Sequence, residues 1–418
     1  MSHTFPWQRA AAGANLLGAD GRLAVTIFEE ITGLAARAGA INLGQGFPDE
    51  EGPRWMAESA SASVLAGRNQ YAPGGGIPEL RQAIAAHQRA FYGLSPDPDT
   101  EVVVSTGATE SIAAAVLAFV GPGDEVLTFE PFYDSYGATI ALAGGVHRTV
   151  PLGAPDFQPD AGDLAAAVTD RTRMIILNTP HNPTGAVFGA EVLGQIVELA
   201  VRHDCIIVSD EVYEHLTFGV EHVPVATLPG AWDRTLTISS AGKTFSYTGW
   251  KVGWTTGPAP LVAALRTVKQ FLSYSSGPAF QPAVAEALAQ PASAFAPLAD
   301  ALRSKRDLLA AGLEGTGMTV YRPAGTYFVI ADVGPIGFDD AATLARRLPG
   351  LVGVAGIPVS AFCHEEGARR TRSLLRFAFC KRAEVLEEAV ERLSRLGSLL
   401  GAPPSGGALG RLPSAGTP

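Results

Sequence analysis

The sequence predicts an α/β protein with a parallel sheet, and three observations carry that expectation. From residue 101 onward, short β-branched runs alternate with longer apolar segments of helical period, as in a sheet whose crossovers are helices. Glycine-containing turns sit where one kind of run gives way to the other. At 418 residues, with 47% hydrophobic and 17% charged side chains, the chain is long and apolar enough for two or three domains and a large core.

Taken in order, residues 1–20 read as a flexible arm. Leu23, Ile27, Ile31, Leu34 and Ala38 then recur at helical spacing until Gly39 stops the pattern, with Phe28 off that stripe. Ile41-Asn-Leu-Gly-Gln-Gly-Phe-Pro-Asp reads as a short strand turning sharply into a loop, where backbone can approach a ligand at Gly46. Asn69-Gln-Tyr-Ala-Pro-Gly-Gly-Gly is a glycine-rich turn carrying Tyr71, and Pro78 opens a helix that ends before Gly93.

The strand at Val102-Val-Val leads through Ser105-Thr-Gly-Ala-Thr into an apolar helix. Around Gly107, Ala108 and Thr109, unpaired N–H groups and the positive dipole end offer a phosphate site, although such a turn is common in any α/β fold. After a strand at Glu125-Val-Leu-Thr-Phe, the strand Arg173-Met-Ile-Ile-Leu delivers Asn178-Thr-Pro-His-Asn-Pro-Thr-Gly, whose prolines and glycine fix the direction of Asn182. Cys205-Ile-Ile-Val-Ser is a buried strand with Asp210 at its carboxyl end, followed by Glu211 and Tyr213. A carboxylate there is costly unless it meets a cation or a strong donor.

Thr235-Leu-Thr-Ile-Ser is the next strand, and the Ser-Ala-Gly after it suits neither strand nor helix, so Lys243 sits in a small-residue loop at a strand's carboxyl end. Open α/β sheets bind ligands at that edge. A lysine held there can form a Schiff base with a carbonyl cofactor, provided an acidic group partners the ring nitrogen. Taken alone, a loop lysine is far more often a solvated surface charge, so its context decides.

From about residue 259 helices dominate, and later strands at 318–321, 326–331 and 374–380 alternate with helices. Leu386, Val390, Leu393 and Leu396 form the stripe of a closing helix over 385–400, and 401–418 is a Gly/Pro/Ser-rich tail without a core-forming pattern.

Composition narrows the function classes. A formal net charge of −10 with no basic block gives nucleic acid no electrostatic footprint. Cys205, Cys363 and Cys380 are far apart and read as buried reduced thiols, which suits a cytoplasmic protein. Neither a signal peptide nor a membrane span is expected. The eight histidines lack ligand spacing, and Cys363-His364-Glu365-Glu366 reads as a polar loop, so no metal is expected.

Asn182-Pro-Thr-Gly, Ser209-Asp-Glu-Val-Tyr, Ser-Ala-Gly-Lys243 with Gly-Trp-Lys-Val-Gly-Trp, and Leu375-Arg-Phe-Ala-Phe occur in one order along the chain. By these motifs residues 22–398 resemble the class I/II aminotransferases that depend on pyridoxal phosphate. Asn42-Leu-Gly-Gln-Gly-Phe-Pro-Asp, Glu130-Pro-Phe-Tyr-Asp and Ser-Ala-Gly-Lys-Thr-Phe narrow the resemblance to the subgroup of kynurenine, glutamine/methionine and actinobacterial N-succinyldiaminopimelate aminotransferases. The resemblance implies a fold type I architecture. Its large domain, residues 51–294, would hold a mostly parallel seven-stranded sheet between helices, with a smaller α/β domain from 21–50 and 295–400.

The resemblance also implies roles. Lys243 would hold pyridoxal 5'-phosphate as a Schiff base and shuttle the substrate proton, and Asp210 would pair with the ring nitrogen. Asn182 and Tyr213 would bond the ring's 3'-oxygen and Tyr133 would stack on the ring. Ala108, Thr109, Ser240 and Lys251 would hold the phosphate, joined by Tyr71 from the second subunit of a homodimer. Arg376 and Gly46 would bind the substrate α-carboxylate, with Phe28 and Tyr327 lining the side-chain pocket, where packing roles are equally open. Two departures stand out: Lys251 replaces the arginine usual in the wider class, and Tyr247 is bulkier than the small residue common at its place. The implied reaction is ping-pong amino transfer from an L-amino acid to a 2-oxo acid such as 2-oxoglutarate. A β-eliminating cysteine-S-conjugate or cystathionine lyase is the alternative. A cofactor-sensing regulator would need a DNA-binding segment where only a short arm stands.

Overall fold

A computed structural model of the chain describes residues 5–18 and 20–400. Its largest sheet has seven strands in the spatial order Val102–Ser105, Gly253–Thr256, Thr235–Ser240, Ile206–Asp210, Thr172–Asn178, Glu125–Glu130 and Val146–Pro151. All neighbours are parallel except Gly253–Thr256, which runs antiparallel to both strands beside it. The central strands are buried on both faces, which explains their unbroken apolar runs. Val103, Ile176, Val208 and Ile238 pack under Ile112 and Val116 on one face, while Phe129, Ile175, Leu177 and Ile207 meet Leu193 and Ile196 on the other.

Register decides what stands together at the sheet's carboxyl edge. Asn178 pairs with Asp210 and Asp210 with Ile238, and Ser240 faces Gly253, which faces Ser105. Strands distant in sequence therefore end side by side there.

A second, antiparallel sheet joins Ile357–Pro358, Leu374–Ala378, Phe328–Asp332 and Thr319–Tyr321, and Ile41–Asn42 pairs in parallel with Val354–Ala355. One core wraps them: Ile31, Leu43, Leu309, Leu344 and Leu375 pack with Val212 and Tyr213, which follow Asp210 in the large sheet. The second sheet thus reaches the carboxyl edge of the first.

Four expectations need correction. Within the expected arm, Pro6–Gly13 is a helix packed on Asp134–Ala143, because Gly13 and Gly137 let the backbones touch; a Cβ on Gly13 would lie 2.3 Å from the Gly137 carbonyl oxygen. Leu23 is outside its helix, which runs Ile27–Ala38. The Thr26 hydroxyl caps it by accepting from Glu29 N at 3.0 Å, and Leu23 pairs instead with Leu17. Lys243 lies on a one-turn helix, Ala241–Thr244, rather than in a loop; Gly242 permits it, since a Cβ there would sit 2.9 Å from Thr248 Cα. The closing stripe is split into Ala383–Ser394 and Leu396–Leu400. The tail expected at 401–418 lies outside the described residues.

Candidate active site

The side chains at the carboxyl edge enclose a cavity of about 340 Å³. Gly46, Gly107, Ala108, Thr109, Tyr133, Asn182, Asp210, Tyr213, Ser240, Lys243 and Lys251 all line it. The fold brings these residues together from segments between Gly46 and Lys251.

Asp210 forms one wall. Burial pushes its carboxyl up to about 6, opposed by a hydrogen bond from the Tyr136 hydroxyl at 2.6 Å, by the Val212 amide and by the charge of Lys243. The donor its position demanded is therefore a tyrosine. Tyr136 went unread in the sequence, although it lies one helical turn beyond Tyr133 in Asp134–Ala143. Asn178, likewise unread, donates to the Asp210 carbonyl at 2.8 Å and accepts from Asn182 N at 2.7 Å, so it sets the Pro-rich loop against the strand.

Lys243 is half-buried, and loss of solvation lowers its pKa, partly offset by Cys380 and Asp210. Its Nζ donates to the Tyr327 hydroxyl at 3.2 Å. Also on the cavity wall, helix Ala108–Phe119 begins at Gly107 without a side-chain cap. The Lys251 ammonium reaches that end, 3.2 Å from where a Gly107 Cβ would stand, from a backbone in the left-handed region at φ 53°.

Arg376 is buried behind this cavity rather than on its wall. Its Nη1 donates to Asn182 Oδ1 at 3.1 Å and its Nη2 to the Gly44 carbonyl at 2.9 Å, while Nε is buried without a partner among the described residues. The guanidinium lies 4.0 Å from the Phe328 ring centroid, 4.7 Å from that of Phe362 and 5.6 Å from that of Phe28. Burial pulls its pKa down to about 10.

The remaining three residues stand apart from the cavity wall. Phe28 packs edge-on against Phe362, 5.6 Å between centroids. Tyr327 is buried beneath Gly46, donating to its carbonyl at 2.7 Å, and faces a separate cavity of about 290 Å³ beyond Lys243. Tyr71 is 83% exposed and rests edge-on against Tyr274.

Folding also gathers His87, Glu214 and His215, a group that spacing concealed. Their potential ligand atoms all lie within 4.8 Å of one another. The two Nε2 atoms are 2.8 Å apart, and the Glu214 oxygens accept from Tyr92 at 2.6 Å and Ser239 at 2.5 Å. The group forms a hydrogen-bonded network.

A mostly parallel sheet with a desolvated lysine and a buried carboxylate at its carboxyl edge defines an α/β protein with a ligand site where such sheets bind their ligands. The family model for aminotransferase class I and II matches residues 38–393, and the chain belongs to that family. It is 51% identical over 383 residues to a probable N-succinyldiaminopimelate aminotransferase of Mycobacterium tuberculosis, covering 89% of this chain and 96% of the relative. It is 40% identical over 376 residues to a methionine aminotransferase of Escherichia coli, covering 90% and 97%. The solved structure of N-succinyldiaminopimelate aminotransferase from Mycobacterium tuberculosis superposes with a TM-score of 0.87 at 52% identity, covering 89% of this chain and 97% of that one. The protein is an aminotransferase, and its substrates are small amino and oxo acids. Among the described residues no helix is long and apolar enough to cross a membrane.

Proposed function

We propose that this aminotransferase works with pyridoxal 5'-phosphate, and that Lys243 supplies the amine that binds its aldehyde. One observation carries the reading: Asp210 and Lys243 line a single cavity that also takes in an uncapped helix start beside the Lys251 ammonium. The donor set fits the cofactor at each end. A carboxylate buried at this cost needs a cationic partner, and the amides of Ala108 and Thr109 with Lys251 and the Ser240 hydroxyl suit a phosphate. When bound, the cofactor draws off the electron pair left as the substrate α-carbon loses its proton.

The chain's own groups do the rest. Asp210 keeps a proton on the ring nitrogen, and Asn182 and Tyr213 hold the 3'-oxygen. Tyr133 covers the ring. Lys243 Nζ, with its pKa lowered by burial, takes the α-proton and returns it as the two half-reactions alternate. Arg376 binds the α-carboxylate beside the Gly46 backbone; its guanidinium is already held in place by Asn182 and Gly44.

The favoured donor is N-succinyldiaminopimelate, with 2-oxoglutarate as acceptor, a reading supported by the mycobacterial relative's identity across nearly its whole length. The exposed Tyr71 supports a homodimer in which its hydroxyl serves the partner's phosphate site. Residues 51–294 are read as the large domain and 21–50 with 295–400 as the small one. The three buried free cysteines fit a reducing cytoplasm.

Borohydride treatment of the purified protein followed by peptide mapping should label Lys243, and a panel of donors with 2-oxoglutarate should rank the succinylated diamino acid first. Label at another lysine, or turnover retained in Lys243→Ala, would overturn the lysine's role. A higher rate with methionine or kynurenine would reassign the donor.

A further inference from the structure

Two side chains outside the cavity fasten the segments around its phosphate end. Lys269 closes helix Ala259–Lys269 and is 1% exposed. Its Nζ donates to the Gly74 carbonyl at 2.9 Å and to the Tyr274 carbonyl at 2.8 Å. Gln281, fully buried, accepts from Ile77 N at 2.8 Å and donates to the Ser276 carbonyl. The Ser276 hydroxyl donates to the Lys251 carbonyl at 3.2 Å, and Ser273 and Thr106 share a hydroxyl contact of 3.0 Å.

These bonds join three pieces of chain. The 70–77 turn carries Tyr71, the 273–276 segment carries Tyr274 against which Tyr71 rests, and Lys251 stands on the far side of that segment. Lys269 and Gln281 both bridge the first two, and Lys269 does so with a charge. Among the described residues its ammonium has no carboxylate within ion-pair distance; two carbonyls accept its hydrogen bonds, and the more distant charge of Glu110 adds attraction. An apolar side chain of the same length would spare the cost of burying an ammonium but would leave both carbonyls without a donor. The charge earns its place by holding two carbonyls at once, which no apolar group does.

Resting on the pyridoxal phosphate reading, we propose that Lys269 is a positioning residue for the phosphate end of the site. By clamping Gly74 and Tyr274 it sets the Tyr71 turn and the 273–276 segment in register. Through Ser276 it thereby holds the backbone of Lys251, whose left-handed conformation aims the ammonium at the start of helix Ala108–Phe119.

The test compares pyridoxal 5'-phosphate with pyridoxal, which lacks the phosphate, on cofactor-stripped full-length protein by absorbance titration. Lys269→Met should raise Kd for the phosphorylated form about tenfold and change Kd for pyridoxal less than about twofold, while the two carbonyls left without a donor lower the melting temperature of the stripped protein. A merely structural lysine would weaken both ligands alike or neither, and either result overturns the assignment. Ser276→Ala, which removes the link to Lys251 and disturbs no buried charge, should give the same split on a smaller scale and overturns the assignment if it does not. Wild-type protein that binds neither ligand would overturn the cofactor reading and this assignment with it; wild-type binding with no split in the variants overturns this assignment alone.

Discussion

Lys243 and Tyr327 meet in a 3.2 Å hydrogen bond from the amine to the phenol oxygen. The phenol also donates to the Gly46 carbonyl at 2.7 Å, and because an ammonium has donors only, the oxygen accepts from Lys243. One side chain thus couples the lysine's helical turn to the segment bearing Gly46, and it favours the charged amine.

Tyr327→Phe should therefore lower the pKa of Lys243 further. Loss of a hydrogen bond to a charged group is worth about 1.5–3 kcal/mol, or roughly one to two pH units. Following the rate of Lys243 modification by a small amine-reactive reagent against pH, in cofactor-stripped protein, reads this directly. An unmoved midpoint would show that the phenol does not bear on the amine's charge.

Asp210 makes stability depend on pH. Its folded value, raised by burial to about 6, exceeds the ordinary 3.8, so the folded cofactor-stripped protein holds a proton that the unfolded chain releases first. This group's contribution is fully present below about pH 4, declines as pH rises to about 6 and is flat beyond, a loss on the order of 3 kcal/mol. Asp210→Asn cannot release that proton. Chemical denaturation of both proteins should show the variant gaining on the wild type across that interval, and a constant difference would contradict the assignment.

Arg376→Lys keeps a charge but loses the planar fork that bonds Asn182 and Gly44 together. Losing one charge-assisted bond to a carboxylate corresponds to about 1.5–3 kcal/mol, or about 10- to 100-fold in KM for amino donor and oxo-acid acceptor alike. Steady-state kinetics on both half-reactions checks it. A change confined to one substrate would place the guanidinium at a side chain rather than at the shared α-carboxylate.

Gly253→Ala tests the turn before helix Ala108–Phe119. A Cβ there would lie 2.6 Å from the Gly107 carbonyl carbon and 2.7 Å from Ala108 N, so the turn must move. Overpacking of this kind costs about 1–3 kcal/mol. The melting temperature should fall, and affinity for inorganic phosphate should fall with it; unchanged phosphate affinity would place the anion elsewhere.

Local pattern sufficed for much of this protein. The alternation of strands and helices, the proline-to-glycine limits of the helix Pro78–Tyr92, and the positions of Lys243 and Asp210 at strand ends follow from periodicity and turn chemistry within a few residues. The Lys243 turn was misjudged, because whether Ala241–Thr244 closes as a helix depends on Thr248 packing over Gly242, a contact outside local propensity.

Only the tertiary structure decided who partners whom. Tyr136 reaches Asp210 across 74 positions, Tyr327 reaches Lys243 across 84, and Lys269 reaches Gly74 across 195. Chain order determines which residues a strand offers at its end, whereas sheet register and the packing of the second sheet against the first determine which of them meet.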